Sequence, residues 1–155
     1  MQDPAPNMSL ANRRFRILNW IGIVDQLAVN QANRLLDPET LPFPQFKVLL
    51  HLQAQIHRKH TVTDIAQAFQ QPQSGTTKTV QKLEEKGFIV SEPHPIDGRA
   101  RLVSISAAGT ENLAAAQARL TPMIDSLFAG WSENNLDILF RKLDQLKADL
   151  ERNRA

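Results

Sequence analysis

The chain has 155 residues, a formal net charge of +2, and 42% hydrophobic against 22% charged residues, the make-up of an ordinary globule with enough length to bury one core. It contains no cysteine, which excludes disulfides, thiolate metal sites and cysteine-based peroxide sensing. No run of about 18 apolar residues occurs, and Met1 to Ser9 is polar with two prolines, so neither a membrane span nor a secretory signal is expected and the cytoplasm is the expected compartment.

Residues 1–8 are expected to form a flexible N-terminal tail. From Ser9 to Leu36, the residues Phe15, Leu18, Ile21, Val24, Leu27, Ala28, Ala32 and Leu35 recur at steps of three and four, which predicts one long amphipathic helix ending before Asp37-Pro38. Ile17, Trp20, Ile23 and Val29 are apolar off that stripe. A helix that is sticky on more than one side needs more than one neighbour, so part of it is expected to pack against a second subunit. Leu41-Pro42-Phe43-Pro44 leads into a helix from about Pro44 to Gln55 with Phe46, Leu49, Leu50 and Leu52 inward. Ile56 to His60 reads as a basic loop.

Thr61 to Gly109 has the order helix, turn, helix, then two strands joined by a charged tip. Thr61 with Asp64 three residues on is a capping box that opens a short helix carrying Ile65, Ala66 and Phe69. Pro72 suits the start of a second helix, where a missing amide hydrogen costs nothing, and Gly87 suits its end. Within Gln73 to Lys86, Thr76, Thr79, Val80 and Leu83 fall on one face, leaving Gln73, Ser74, Thr77, Lys78 and Gln81 outward. Short hydroxyls, amides and a lysine can reach base edges and phosphates in a major groove. Glu84 and Glu85 point about 100° apart, so they are no paired-carboxylate site; Glu84 is expected to pair with a nearby lysine.

Phe88 to Val90 and Arg101 to Ser106 read as the strands of a hairpin, with His94-Pro95-Ile96-Asp97-Gly98-Arg99 as its tip. Gly98 permits a positive backbone angle there, and Asp97 is expected to hold the Arg99 guanidinium by a fork-like ion pair, a geometry that suits a narrow minor groove. Ser106 caps a helix running to about Ala129, Gly130-Trp131-Ser132 breaks it, and Ser132 caps a last helix. There Leu136, Leu139, Phe140, Leu143, Leu146 and Leu150 interleave with alternating charges, a pattern like a short coiled-coil seam.

Thr61-x-x-Asp64-Ile65-Ala66, the helix end Leu83-Glu84-Glu85-Lys86-Gly87-Phe88-Ile89-Val90, and Asp97-Gly98-Arg99-Ala100-Arg101-Leu102-Val103-Ser104-Ile105-Ser106-x-x-Gly109 together resemble the MarR family of bacterial transcription regulators. The chain departs from the family pattern at Gln71, Thr76 and Thr79, where apolar residues are usual. The resemblance implies a mainly α fold with a small β-hairpin wing, a winged helix-turn-helix with N- and C-terminal dimerisation helices. It divides the chain into a helical dimerisation region, 9–36 and 107–155, and a winged helix-turn-helix DNA-binding region, 44–106, within a single structural domain. It also implies a homodimer on double-stranded DNA with an inverted-repeat operator. Ser74, Thr77, Lys78 and Gln81 would read the major groove and Arg99 the minor groove beside Asp97, with Gln73, Lys82 and Arg101 completing the DNA-binding set. Release by a small aromatic or anionic effector is implied as well, in a crevice bordered by Arg16, Trp20, Phe46 and His51, where Trp20 offers a flat apolar wall and Arg16 a partner for a carboxylate.

Charge tempers the nucleic-acid reading: Thr61 to Ile105 holds Lys78, Lys82, Lys86, Arg99 and Arg101 against Asp64, Glu84, Glu85, Glu92 and Asp97, so any affinity must come from how charges are arranged. Three other readings compete. An enzyme would need a nucleophile with its base, a carboxylate pair on one face or a ligand cluster, and no such spacing is present, nor is any cofactor motif. A metal-responsive regulator would use His57 and His60 with His51 folded near them, but without a spaced carboxylate or cysteine no metal site is assigned. A winged module devoted to protein contacts would need neither Arg99 at the wing nor a polar outer helix face.

Overall fold

The computed structural model describes residues 9–153, which places the tail expected at residues 1–8 outside the described part. The elements in chain order are α1 (Leu10–Leu35), α2 (Phe43–Ala54), β1 (His60–Thr61), α3 (Val62–Phe69), α4 (Gln73–Glu85), β2 (Ile89–Pro93), β3 (Arg101–Ile105), α5 (Ala107–Phe128) and α6 (Glu133–Arg152). By internal contacts the chain falls into two compact units, one ending at Leu120 and one beginning at Thr121.

In the first unit, Ser9 caps α1 by accepting a hydrogen bond from the Asn12 amide. Only the end of α1 enters the core: Ala32 and the following Leu36 are buried, whereas Phe15, Leu18, Trp20, Val24 and Leu27 are exposed. Asp37 stops the helix and shapes the next turn, its carboxylate accepting from the Glu39 amide and the Thr40 hydroxyl, bonds that hold its pKa below the usual carboxylate value. The inward face of α2 is Gln45, Phe46, Val48, Leu49 and Leu52. Leu50, expected inward, is exposed instead, because a helix entering at Phe43 turns the Gln45/Val48/Leu49/Leu52 stripe to the core and Leu50 away from it.

The sheet has three strands in the order β1-β3-β2, all antiparallel. The hairpin β2–β3 pairs Ile89 with Ile105 through Pro93 with Arg101. The third strand, β1, replaces the end of the expected basic loop: His60 pairs with Val103 and Thr61 with Leu102, and the His60 ring is buried. Ile65, Ala66, Val80, Leu83, Phe88, Ile89 and Val103 form the core beneath the sheet and helices, joined from α5 by Leu113, Ala116 and Leu120.

The second unit comprises the end of α5 and α6. The Phe128 and Trp131 rings meet edge to face at 5.7 Å, Gly130 takes a positive φ of 138°, and Ser132 caps α6 through the Asn135 amide. No described residue of α6 is buried, so the apolar row Leu136, Leu139, Leu143 and Leu150 faces outward along the helix. No helix among the described residues is long and apolar enough to cross a membrane.

Candidate nucleic-acid interface

The scaffold of the site is set by α3. The Thr61 hydroxyl accepts from the Asp64 amide at 3.1 Å while the Asp64 carboxylate accepts from the Thr61 amide at 2.8 Å, the reciprocal pair that satisfies two orphan donors at a helix start. The chain then leaves α3 through Gln70 in the left-handed region, φ 55°, with the Gln71 amide bonded back to the Ala66 carbonyl at 3.0 Å. This reversal, made without glycine, allows Pro72 to sit immediately before α4.

Three residues root α4: Thr76, Val80 and Leu83 are 2%, 4% and 0% exposed. The Thr76 hydroxyl satisfies its burial by donating to the Pro72 carbonyl at 3.3 Å. Thr79, placed on that inward face from sequence, lies half-buried at its margin, its hydroxyl on the Gly75 carbonyl. On the opposite side Gln73, Ser74, Lys78, Gln81 and Lys82 are exposed, and Thr77 is half-buried with its hydroxyl donating to the Gln73 carbonyl at 2.8 Å. That bond occupies the Thr77 proton, so toward a ligand Thr77 offers its lone pairs and methyl group. At the other end of the helix, Lys86 donates from one Nζ to the carbonyls of Glu39 and Thr40 and to Gln45 Oε1, at 2.8, 3.0 and 2.9 Å. All three positions of an ammonium are thereby used to tie the C-terminus of α4 to the turn before α2.

The wing tip is built by side chains acting on backbone. His94 Nδ1 accepts from the amides of Ile96 and Asp97 at 3.2 and 3.1 Å, which places its proton on Nε2. Asp97 Oδ1 accepts from the backbone amide of Arg99 at 3.0 Å. The expected Asp97–Arg99 fork is therefore absent: a short carboxylate reaches its neighbour's amide two residues on more readily than a flexible guanidinium. Gly98 does not take a positive φ; Gly87, at φ 71°, does, at the exit from α4. Arg99 is exposed and, among the described residues, enters no ion pair.

Acidic side chains nearby are largely occupied. Glu84 pairs with Arg101 at 3.3 Å rather than with a lysine, because β3 brings that guanidinium across to α4, where it also approaches the Ser91 carbonyl at 3.5 Å. Glu92 pairs with Lys59 at 2.5 Å, and Asp64 is committed to its cap. Both ion pairs are exposed, so each adds little stability, about 0–1 kcal/mol. Their effect is on the local field: Lys78, Lys82 and Arg99 are left without ion-pair partners among the described residues, on the outward side of α4 and at the wing. Arg101 remains 60% exposed while held by Glu84.

The residues assigned to an effector fall into separate contacts. The Arg16 guanidinium lies over the exposed Trp20 ring, 4.9 Å from its centroid. Phe46 is buried and stacked on Phe43 at 5.9 Å. His51 is half-buried, 5.1 Å from the His60 ring and 5.3 Å from Phe69. His57 is exposed, and no group of three or more potential metal ligands gathers among the described residues.

Burial pushes the pKa of both His51 and His60 down, reinforced for His51 by Arg58 and for His60 by His51 and Arg58 against a smaller opposing pull from Asp64. The fold therefore favours the neutral form of both rings, while the unfolded chain protonates them below about pH 6.5. The stability they contribute is complete above that pH and is lost as pH falls through it toward their lower folded values. Thermal unfolding followed by circular dichroism should therefore show a lower melting temperature at pH 5.5 than at pH 7.5, and a flat profile across that window would contradict the neutral assignment.

A family model described as the MarR family matches residues 39–100 of this chain. The HTH-type transcriptional repressor IacR of Pseudomonas putida is 26% identical over 132 residues, covering 85% of this chain and 78% of that protein. Among solved structures, the transcriptional regulator BldR from Sulfolobus solfataricus aligns with a TM-score of 0.79 at 22% identity, over 92% of this chain and 99% of that one. A mutant MarR from E. coli complexed with operator DNA aligns with a TM-score of 0.71 at 20% identity, over 90% of this chain and 99% of that one. The structural likenesses establish the fold, among the described residues six helices with a three-stranded antiparallel sheet.

Proposed function

We propose that this chain is a winged helix-turn-helix transcriptional regulator of the MarR family that acts in the cytoplasm as a homodimeric repressor, holding a palindromic operator and releasing it when a small aromatic or anionic molecule binds. Regulators of this family are DNA-binding proteins and not enzymes. The observation that carries the proposal is the outward face of α4: Ser74, Lys78, Gln81 and Lys82 are exposed on a helix rooted by Thr76, Val80 and Leu83, beside a wing whose Arg99 has no ion-pair partner among the described residues. Ser74, Thr77, Lys78 and Gln81 read base edges in this proposal, Gln73 and Lys82 meet flanking phosphates, and Arg99 enters the minor groove from a tip ordered by Asp97. Arg101 contributes through the root of the wing, where it can exchange Glu84 for a phosphate.

Dimerisation is supported by the apolar surface at both chain ends, Phe15, Leu18, Val24 and Leu27 on α1 and Leu136, Leu139, Leu143 and Leu150 on α6. Two reading helices would then lie about 34 Å apart, one turn of DNA, on an inverted repeat. In this reading the effector's crevice is bordered by Arg16 and Trp20 of α1 and by Phe46 and His51 of α2; the Arg16–Trp20 pair supports it by offering a cation beside a flat exposed wall.

The deciding experiment is a gel shift of the purified protein on the DNA flanking its own coding region, followed by two variants. Gln81→Ala is expected to relax preference at one or two base pairs by about 1–3 kcal/mol each, and Arg99→Ala to weaken binding mostly at flanking A·T-rich positions. Equal losses on specific and random DNA for Gln81→Ala would reduce that residue to a phosphate or packing contact. The even charge balance of the winged segment also sets a log–log salt slope no steeper than about −10.

A further inference from the structure

Ile96 is 91% exposed in the wing tip, the highest exposure of any large apolar side chain among the described residues. Phe15 and Phe140 come next, and both lie on the helices whose apolar surface supports a dimer. Ile96 has no such company, since no second large apolar side chain is exposed among residues 94–100. Nor is its exposure that of a loose loop. The His94 amide donates to the Ala100 carbonyl at 3.1 Å and the Ala100 amide to the Asp97 carbonyl at 3.0 Å, closing the tip just beyond the last ladder pair, Pro93 with Arg101. Within the tip, the amide of Ile96 itself donates to His94 Nδ1 at 3.2 Å, and Pro95 fixes the backbone angle one residue earlier. The backbone that carries Ile96 is thus ordered before any partner arrives, and a β-branched side chain has few rotamers to lose, so burying it costs little further entropy.

The surrounding charge selects the partner. Arg99, three residues on, is exposed and enters no ion pair among the described residues. The Asp97 carboxylate is turned onto the Arg99 amide, and Glu92 is engaged by Lys59. A protein partner would call for a contiguous apolar patch of several hundred Å², which one isoleucine does not make. An apolar group beside a free guanidinium instead fits a narrow minor groove, where sugars form the walls and phosphates the rim. We propose that Ile96 is a specificity-determining contact of the wing, packing into the minor groove and rejecting guanine there. The N2 amino group of guanine projects from the groove floor as a donor, and an apolar side chain laid over it leaves it unpaired. Arg99 cannot satisfy that group either, because a guanidinium only donates, whereas the acceptors of an A·T pair suit it. This inference rests on the DNA-binding function proposed above and adds an uncharged reading element to the wing.

The test uses the full-length protein on the operator found by gel shift, with the pairs under the wing located by hydroxyl-radical footprinting. Ile96→Ser, at an almost fully exposed position, should keep the parent's melting temperature and bind about tenfold more weakly, whereas Ile96→Val should stay within about threefold of the parent. The log–log salt slope should be unchanged in Ile96→Ser and shallower by about one in Arg99→Ala, since only a charge releases counterions. Replacing A·T by G·C under the wing should weaken parent binding about tenfold, while inosine·C, which lacks the N2 amino group, should not. Ile96→Ser should discriminate less between those two operators. The proposal is overturned if Ile96→Ser binds as the parent does, if its loss comes with a changed salt slope, or if the parent binds the G·C and inosine·C operators alike. Altered sedimentation of Ile96→Ser with unaltered operator affinity would assign the residue to a protein contact and overturn it as well. An intact parent gel shift with an unaffected Ile96→Ser removes this contact alone; a parent that binds no operator removes the DNA-binding function and the contact with it.

Discussion

Replacing Gly109 with alanine is expected to destabilise the fold by about 3 kcal/mol and to lower the melting temperature by roughly 10 °C. A Cβ at this position would lie 2.0 Å from the Phe88 carbonyl oxygen and 2.9 Å from Ile105 Cγ1. The nearer of these is backbone and cannot swing aside. It is also fixed by its own bond, since the Phe88 carbonyl accepts from the Ser106 amide at 3.0 Å. Ser106 completes the joint: its hydroxyl donates to the Gly87 carbonyl at 2.6 Å and accepts from the Gly109 amide at 3.0 Å. Alanine must therefore lift the start of α5 from the Phe88 backbone between α4 and β2, disturbing the junction from which α4 and the hairpin both emerge. Gly75→Ala is the control, because a Cβ there meets nothing within 4 Å and a helix interior favours alanine over glycine by about 0.5–1 kcal/mol. Circular dichroism melts of the two variants decide the matter: Gly109→Ala unfolding within a degree or two of the parent would mean that the approach to Phe88 is relaxed at little cost.

The parts of this fold that obey local rules were legible in the sequence. The Thr61–Asp64 cap, the start of α4 after Pro72 and the inward set Thr76, Val80 and Leu83 each depend on neighbours within four residues, and each is found where periodicity and capping chemistry put it. What escaped depends on partners far along the chain. Strand β1 is two residues long and exists because Val103 and Leu102 lie beside it, so no alternation in its own sequence could announce it. The Lys86 anchor is invisible for the same reason, its acceptors lying 41 to 47 residues away. At the wing, the Asp-Gly signal predicts a positive-φ turn with a side-chain ion pair. His94 and Asp97 instead order the backbone directly, which makes a left-handed Gly98 unnecessary. The left-handed conformation falls on Gln70, a residue type that gives no hint of it. The outward polar face of α4 was legible because it is simply the remainder of the helix once its apolar face is assigned.

For the dimer proposed above, Leu143→Glu is expected to give a monomer at micromolar concentration and to weaken operator binding by a factor of at least about 100. Leu143 is 42% exposed on α6 and belongs to the row with Leu136, Leu139 and Leu150, none of which is buried within the chain itself. If a second copy covers that row, a carboxylate placed at its middle must lose its water without gaining a partner, a penalty of several kcal/mol that falls on association rather than on the fold of the subunit. The operator effect follows from linkage between half-sites. In a dimer the second reading helix meets its half-site at an effective concentration near millimolar, whereas a monomer must find each half-site from bulk solution. Sedimentation and the gel shift therefore have to move together. A parent protein that sediments as a folded monomer would remove the dimer from the proposed function, and a Leu143→Glu protein that remains dimeric with undiminished operator affinity would move the interface away from α6. A variant that loses its helical circular dichroism at every concentration would show instead that α6 is required for the subunit to fold, and Leu136→Gln, at the N-terminal end of the same row, then serves as the milder probe, expected to raise the dimer dissociation constant while keeping the helical signal.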